Sequence, residues 1–355
     1  KRQVQYLQRS NARYGLDDPM IRKLFATELI EVGRTQHARE ILRSGLGASD
    51  PDVMFLMAKS YLSDGDQALA EEYIDAALEA GVSADAIEAQ RAELSTALQI
   101  KELMNELQAS PGDARRYHVL AGAHEFVGNF DAAISVYEDG LDKAVGGLSF
   151  QTQIARLLFK KGDTQRAIEV ATGIVDSEEV SAESQLQAYA VLGMSWALQR
   201  EMKKAERALE QATVEGSQLA PAFYELAKIK SSKGETSVAI QLLQSAIDID
   251  SSSLRYYMAL AALYKQSNNI EKVVAVYEDG IARNPGSLQL INNLALVHMG
   301  QGENEKALSL ALEALELAPD NARVLNTLGR VHSRGQDHKQ AIRYLEQAVD
   351  LQPCL

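Results

Sequence analysis

The sequence predicts an all-α protein built as an α-solenoid of antiparallel helix pairs, and three observations lead to that prediction. Aromatic residues make up only 6% of the 355 residues, while alanine and leucine are plentiful, which favours helix over strand. Glycines recur in steps of 34 residues: Gly162 follows Gly128 by 34, and Gly302 follows Gly234 by twice 34. Small side chains recur at fixed places within the same period. A period of this length is typical of arrays in which each helix pair stacks on the next.

Composition narrows the classes of function. The chain carries 36 Lys and Arg against 49 Asp and Glu, a net charge of −13, so binding to nucleic acid through the overall field is disfavoured. The lone Cys354 excludes a disulfide framework and a cysteine-based metal site. No apolar run approaches the ~18 residues of a membrane span, so we expect no membrane span in this segment.

A repeat register follows when Gly128 is set at position 15 of a 34-residue repeat. Nine repeats then begin at residues 19, 51, 114, 148, 186, 220, 254, 288 and 322. Positions not used to build the register confirm it: position 7 is apolar in all nine repeats, and position 8 is Gly or Ala in all nine. Position 20 is Ala in eight of nine, with Val273 the exception, and position 27 is Gly or Ala except at Ile174.

Each recurring residue type has a physical role in a helix pair. Small residues at positions 8 and 20 allow two antiparallel helices to approach closely. Glycine near position 15 ends the first helix, because it adopts a left-handed conformation at little cost. Proline at position 32 stops the second helix, at Pro285, Pro319 and Pro353 in the last three repeats. Each pair leaves an apolar face that it can bury only against the next pair.

This pattern resembles the tetratricopeptide repeat (TPR) family, most closely in the last three repeats, for example with Leu328, Gly329, Ala341, Ala348 and Pro353 in the final one. The resemblance covers nearly the whole chain. It implies a right-handed superhelix of helical hairpins with a concave groove that binds other proteins.

The register also divides the chain. Residues 1–18 are interpreted as a partial repeat, 19–81 as repeats 1 and 2, 82–113 as a degenerate helical repeat with one long helix, and 114–355 as repeats 3 to 9. Four extra residues near Asp176–Ala182 predict a longer turn between repeats. Both ends look cut, so we expect a segment of a longer protein. Ile342, Leu345 and Val349 of the uncapped last repeat are expected to lie partly open, which would permit self-association.

Candidate chemical groups are better explained by packing or solvation. His124, His298 and His332 all fall at position 11, a slot that holds Tyr or Trp in other repeats, and this predicts a packing role. The sequence contains no phosphate-binding loop, nucleophile elbow or metal-ligand spacing. We therefore predict a non-catalytic protein without a cofactor, a metal site or catalytic residues.

The family resemblance implies that positions 2, 5, 9, 12 and 13 face the groove. Of these 45 positions, eleven are basic and three are acidic, although acidic residues outnumber basic ones in the whole chain. The acidic three are Glu31, Asp52 and Glu125. A basic lining draws in anionic segments, so we expect an acidic or extended peptide of a partner protein. The candidate groove residues are Arg156, Lys160, Tyr224, Lys228, Arg255, Lys265, Asn292, Arg323, Asn326, Arg330 and Arg334.

Two other functions remain open at the level of sequence. The same lining could bind an anionic polymer, with an acidic polysaccharide favoured over RNA, and the array could be the recognition arm of an enzyme whose catalytic domain lies outside this chain. The composition resembles that of bacterial proteins, and related bacterial arrays serve envelope, pilus or exopolysaccharide assembly. Both the periplasm or envelope and the cytoplasm therefore stay open as compartments.

Overall fold

The computed structural model describes residues 19–31, 33–43, 50–64, 66–81, 99–143 and 145–352, and within these ranges every regular element is a helix. The all-α prediction is therefore confirmed. The chain forms two compact bodies, an N-terminal body of Lys1–Lys161 and a C-terminal body of Gly162–Leu355.

The N-terminal body consists of short helices that follow one another along the chain. They are α1 (Pro19–Glu31), α2 (Thr35–Arg43), α3 (Pro51–Asp64), α4 (Gln67–Glu79), α5 (Ala114–Phe126), α6 (Phe130–Asp142) and α7 (Gly147–Lys161). Residues 99–109 are also helical. The predicted long helix of the degenerate repeat falls largely on residues 82–98, which lie outside the described residues.

The C-terminal body continues the same alternation. Its helices are α8 (Thr164–Val175), α9 (Ala182–Leu198), α10 (Met202–Ala212), α11 (Ala220–Ser232), α12 (Thr236–Ile249), α13 (Leu254–Gln266), α14 (Ile270–Arg283), α15 (Leu288–Gln301), α16 (Asn304–Leu317), α17 (Ala322–Arg334) and α18 (His338–Leu351).

Packing follows the repeat register. From α9 onward each odd-numbered helix pairs with the even-numbered helix after it, and that second helix also packs on the first helix of the next repeat. First helices of successive repeats also touch, as α15 and α17 do. From α9 to α18, each helix pair except the last is thus covered by the pair that follows it, as the apolar faces of the repeats require.

Small residues sit at the points of closest approach. A Cβ atom added to Gly193 would lie 2.5 Å from Leu209 Cγ, and one added to Gly329 would lie 2.5 Å from Leu345 Cγ. Both glycines occupy position 8. Ala205 and Ala239 at position 20 are completely buried. The predicted role of positions 8 and 20 in close helix packing is confirmed.

A left-handed residue follows the first helix at position 15. Gly128, Gly162, Gly234 and Gly302 adopt φ values between 74° and 91°, as expected. Three repeats that lack glycine at position 15 keep the same turn. Their residues at this position are also left-handed: Arg200 (φ 64°), Asn268 (φ 53°) and Gln336 (φ 62°). Repeat geometry therefore imposes the conformation even where the side chain opposes it.

Replacing Arg200 with glycine is expected to stabilise the C-terminal body by about 0.5–1 kcal/mol. The left-handed conformation costs a non-glycine residue about 1–2 kcal/mol, and the greater flexibility of glycine in the unfolded chain offsets part of that gain. Arg200 is exposed, so its side chain loses little packing. Urea denaturation measures the difference. Gln199→Gly is the control, because Gln199 has φ −79° and should gain nothing.

Helix ends agree with the predicted stop signals. Helix α14 ends at Arg283, two residues before Pro285, and α16 ends at Leu317, two residues before Pro319. Pro353 lies outside the described residues. The predicted longer turn is present between Val175 and Ala182, although Ala182 is already the first residue of α9. The extra residues therefore lengthen both the turn and the following helix.

The last helix exposes apolar side chains, as predicted. Ile342 is 57% exposed and Val349 is 52% exposed, while Leu345 is half-buried against Gly329. Self-association through this surface, and the division of the chain into repeats drawn from the register, remain predictions.

Candidate functional site

The first helices of the repeats in the C-terminal body carry an uncompensated positive charge. Positions 2, 5, 9, 12 and 13 of its five repeats from residue 186 onward include six basic residues and no acidic one. Five of them are exposed and form no ion pair with any described residue; we call these five the basic set: Arg255, Lys265, Arg323, Arg330 and Arg334. The sixth, Lys228, lies 2.8 Å from the Glu225 carboxylate.

Aromatic side chains hold one member of the basic set in place. The Arg255 guanidinium carbon lies 5.7 Å from the ring centroid of Tyr224 and 5.4 Å from that of Tyr256. The Arg255 Nε also donates a hydrogen bond to Ser253 Oγ, at 3.1 Å. Cation–π contacts orient a guanidinium while leaving its donors free. Arg255 is thus presented, without an acidic partner, at the start of α13.

The two candidate asparagines differ in environment. Asn326 is half-buried on α17. Asn292 on α15 is only 4% exposed, and its side-chain Oδ1 has no hydrogen-bond partner. A buried amide oxygen without a donor costs about 1–3 kcal/mol, which makes Asn292 an unusual core residue.

Two cavities adjoin on the side of the first helices. The apolar cavity, about 480 Å³, lies between α13 and α15 over α14, and its lining includes Ala262, Val273, Tyr277, Asn293 and Gly300, with Lys265 among the lining residues. The polar cavity, about 660 Å³, is lined by the starts of α15 and α17. Its lining includes Asn292, Asn293, Asp320 and Arg323. Because Asn293 lines both, the two cavities are neighbours.

The two candidate residues in the N-terminal body have acidic partners. The Arg156 Nη1 and the Lys160 Nζ each lie 2.6 Å from the Glu125 carboxylate. The hydrogen bond from Arg156, supported by Lys160, lowers the pKa of Glu125 from 4.5 to about 2. Lys23 at position 5 likewise contacts Asp50 and Asp52, each at 2.8 Å. Lys23, Arg156 and Lys160 are therefore compensated by carboxylates, unlike the basic set of the C-terminal body.

The histidines at position 11 pack between helices. His298 is buried, with Nδ1 2.7 Å from Glu303 Oε2, and His332 stacks on Tyr344 with a centroid separation of 5.5 Å. Burial lowers the pKa of His124. Among the described residues no group of three His, Cys, Asp or Glu side chains is arranged to hold a metal ion.

Sequence reasoning missed the residues that shape the cavities. Ala262, Gly300 and Asn293 were not among the candidates, because the selection favoured charge and amide groups at groove positions. The signal was nevertheless present: position 9 is Ala262 between Lys228 and Leu296 of the flanking repeats, and position 13 is Gly300 between Gln266 and Arg334. A small residue between larger ones at the same repeat position marks an opening.

Comparison with known families finds the tetratricopeptide repeat. Three family models of that description match residues 152–221, 254–287 and 287–353. Among curated protein sequences none matches the chain. Within the described residues no helix is both long enough and apolar enough to cross a membrane.

Comparison with solved structures finds matches of low sequence identity. A structure of MamA from residue 41 to its end, from Desulfovibrio magneticus RS-1, is 18% identical with a TM-score of 0.40, covering 48% of this chain and 96% of that one. YrrB, described as a TPR protein with an unusual peptide-binding site, is 16% identical with a TM-score of 0.43, covering 53% and 94%. The APC/C hetero-tetramer Cut9-Hcn1 is 16% identical with a TM-score of 0.41, covering 94% and 74%.

Proposed function

This chain is an array of tetratricopeptide repeats, and on that premise we propose that it is a protein-interaction scaffold whose C-terminal body binds an acidic, extended segment of a partner protein. The family as a whole binds proteins and is generally non-catalytic. The acidity and extended form of the partner segment are our own inference.

One observation carries the proposal: the basic set has no acidic partner among the described residues, although the protein as a whole is acidic. Arginine offers a planar fork that binds a carboxylate through two hydrogen bonds, and four of the five residues are arginines. The basic set lies on α13 and α17, the first helices on either side of α15, and this arrangement suits a segment that lies across three repeats.

Reversing two charges in the last repeat tests the proposal. The double variant Arg323→Glu and Arg330→Glu is compared with wild type for binding to acidic peptides selected from a displayed library of random linear peptides. We expect at least about a tenfold loss of affinity, because the reversal replaces attraction with repulsion at both sites. Wild-type affinity should also fall as salt concentration rises.

The matched control places the same charge change on the second helix of the same repeat. Lys339→Glu and Arg343→Glu, on exposed positions of α18, should leave peptide affinity close to that of wild type. Equal losses for both double variants would mean that net charge alone governs binding, and unchanged binding in the Arg323 and Arg330 variant would refute the proposal.

Two competing ligands are separate outcomes of the same measurement. In one outcome no acidic peptide is selected, and an acidic polysaccharide or single-stranded RNA binds wild type with a steep salt dependence. That result would identify the ligand as an anionic polymer instead of a peptide. If the array is the recognition arm of an enzyme, the peptide-binding result would be the same, and the catalytic domain would lie outside this chain.

A further inference from the structure

We infer that the segment bound by the C-terminal body carries an apolar side chain flanked by acidic residues, with the apolar side chain in the cavity between α13 and α15 and the backbone held beside Asn292. This inference rests on the proposed function and adds to it the sequence that the surface would select.

The apolar cavity has the size and lining of a side-chain pocket. Its volume of about 480 Å³ exceeds that of any single side chain, and its walls include Val273, Tyr277 and Leu296. Lys265 also lines it, is exposed and has no described ion-pair partner. An apolar side chain entering this cavity would bring nearby residues of the segment towards a free ammonium group. The combination favours an acidic residue close to the apolar one on the same side of the segment.

The cavity exists because two residues are small where neighbouring repeats have larger side chains. Ala262 stands at the position of Lys228 and Leu296, and Gly300 at the position of Gln266 and Arg334. A Cβ atom added to Gly300 would meet no atom within 4 Å. The opening is therefore a property of this pair of repeats, and a larger side chain at residue 300 would fill it without disturbing the helix.

The polar cavity offers an unpaired hydrogen-bond acceptor. Asn292 lines this cavity, is 4% exposed, and its Oδ1 has no partner. The free backbone N–H of an extended peptide is the donor that such an oxygen lacks. Arg323 lines the same cavity and is exposed and unpaired, so it can take an acidic side chain from the adjoining residue. A peptide N–H group bound by Asn292 would thus lie between two cations, Lys265 and Arg323.

Adjacency of the two cavities sets the order of the recognised groups. Asn293 lines both cavities and so marks the boundary between them. One extended segment that crosses this boundary meets Lys265, the apolar cavity, Asn292 and Arg323 along one surface. Successive side chains of an extended segment point to opposite sides, so the residues two positions before and after the apolar one face the same surface, and acidic residues fit there.

Other cavities carry weaker signals. The cavity of about 490 Å³ between α12 and α14 is lined by Asp248, Lys272, Asp279 and Arg283, and Asp279 and Arg283 already pair at 3.0 Å. Because the charges of its lining residues are balanced, this cavity favours neither an acidic nor a basic ligand. The surface around Asn292 and Gly300 combines an apolar cavity, an unpaired buried acceptor and unpaired cations.

The test uses the whole chain and a displayed library of random linear peptides. We expect wild type to enrich peptides in which an apolar residue is flanked by Asp or Glu. For a synthetic copy of the most enriched peptide, Gly300→Leu should weaken binding by about tenfold or more, because the added side chain occupies the cavity. The same peptide with its apolar residue replaced by Ser should bind Gly300→Leu and wild type equally. Gly173→Leu is the matched control, because Gly173 is an exposed helical glycine of α8 with no atom within 4 Å of an added Cβ.

A second variant separates binding from stability. Asn292→Leu keeps a similar shape but removes the unpaired oxygen, so it should weaken peptide binding severalfold while leaving the thermal unfolding midpoint unchanged or higher. A lowered midpoint would show that the oxygen has a structural partner, which would overturn its role as a ligand acceptor. Enrichment of acidic peptides without an apolar residue, or wild-type affinity in Gly300→Leu, would overturn the apolar site. In either case loss of binding on reversing Arg323 and Arg330 would leave the proposed function standing, and its absence would refute that function as well.

Discussion

Replacing Gly140 with leucine is expected to destabilise the N-terminal body by about 3 kcal/mol or more, because the site has no room for a side chain. A Cβ atom there would lie 2.5 Å from Phe150 Cε2 and 3.0 Å from Tyr117 Cδ1. Both rings are completely buried. Their ring centroids are 5.5 Å apart, and Tyr137 packs on Phe150 at 4.9 Å. Several rings would have to move together to admit even a methyl group.

The measurement is urea denaturation, supported by hydrogen exchange of the amides in α5 and α7. Gly122→Leu is the matched control in the same body, since Gly122 is an exposed helical residue with no atom within 4 Å of an added Cβ. That variant should gain up to about 1 kcal/mol from helix propensity alone. A Gly140→Leu protein as stable as the Gly122→Leu protein would contradict the close approach of α6 to the rings.

Replacing Glu125 with glutamine is expected to cost about 2–3 kcal/mol of folding free energy at neutral pH. The Glu125 carboxylate accepts hydrogen bonds from Arg156 Nη1 and Nη2, both at 2.6 Å, and from Lys160 Nζ at 2.6 Å. These contacts, that of Arg156 above all, lower the pKa of Glu125 from 4.5 to about 2 in the folded protein. A pKa lowered by folding means that the charged group stabilises the folded state.

The difference between wild type and Glu125→Gln should depend on pH in a defined direction. It should be fully present above about pH 4.5 and disappear as the pH falls towards 2, because protonation of Glu125 removes the same charge that the substitution removes. Urea denaturation at a series of pH values measures it. Asp131→Asn is the control: Asp131 pairs with Lys161 but is largely exposed, so its loss should cost well under about 1 kcal/mol at any pH. A pH-independent difference for Glu125→Gln would rule out the ion-pair origin.

The ion pairs of Glu125 also show why charge counting from sequence overestimated the number of free cations. The sequence places Arg156 and Lys160 at groove positions and Glu125 at another, in a different repeat. It does not tell which of them are within reach of each other. In the C-terminal body the same positions contain no acidic residue, and five of the six basic residues there form no ion pair with a described residue. Lys228 pairs with Glu225, which does not stand at a counted position.

The position of the left-handed turn illustrates a different limit. Glycine at position 15 predicted it in the repeats that have glycine, but Arg200 and Gln336 adopt the same conformation. Local propensity opposes the turn at those residues, and the packing of the two helices on either side overrides it. The sequence pattern of the array, rather than the single residue, is what predicts the turn.

Periodicity in the sequence determined the fold class, the helix pairs, the positions of close packing and the end of each first helix, because these depend on residue size and backbone preference repeated every helix pair. The tertiary structure alone decided which cations lack a partner, which small residues open a cavity, and that the amide oxygen of Asn292 is left unpaired. Each of those depends on distances between side chains from different repeats, and the spacing of residues along a chain does not specify such distances.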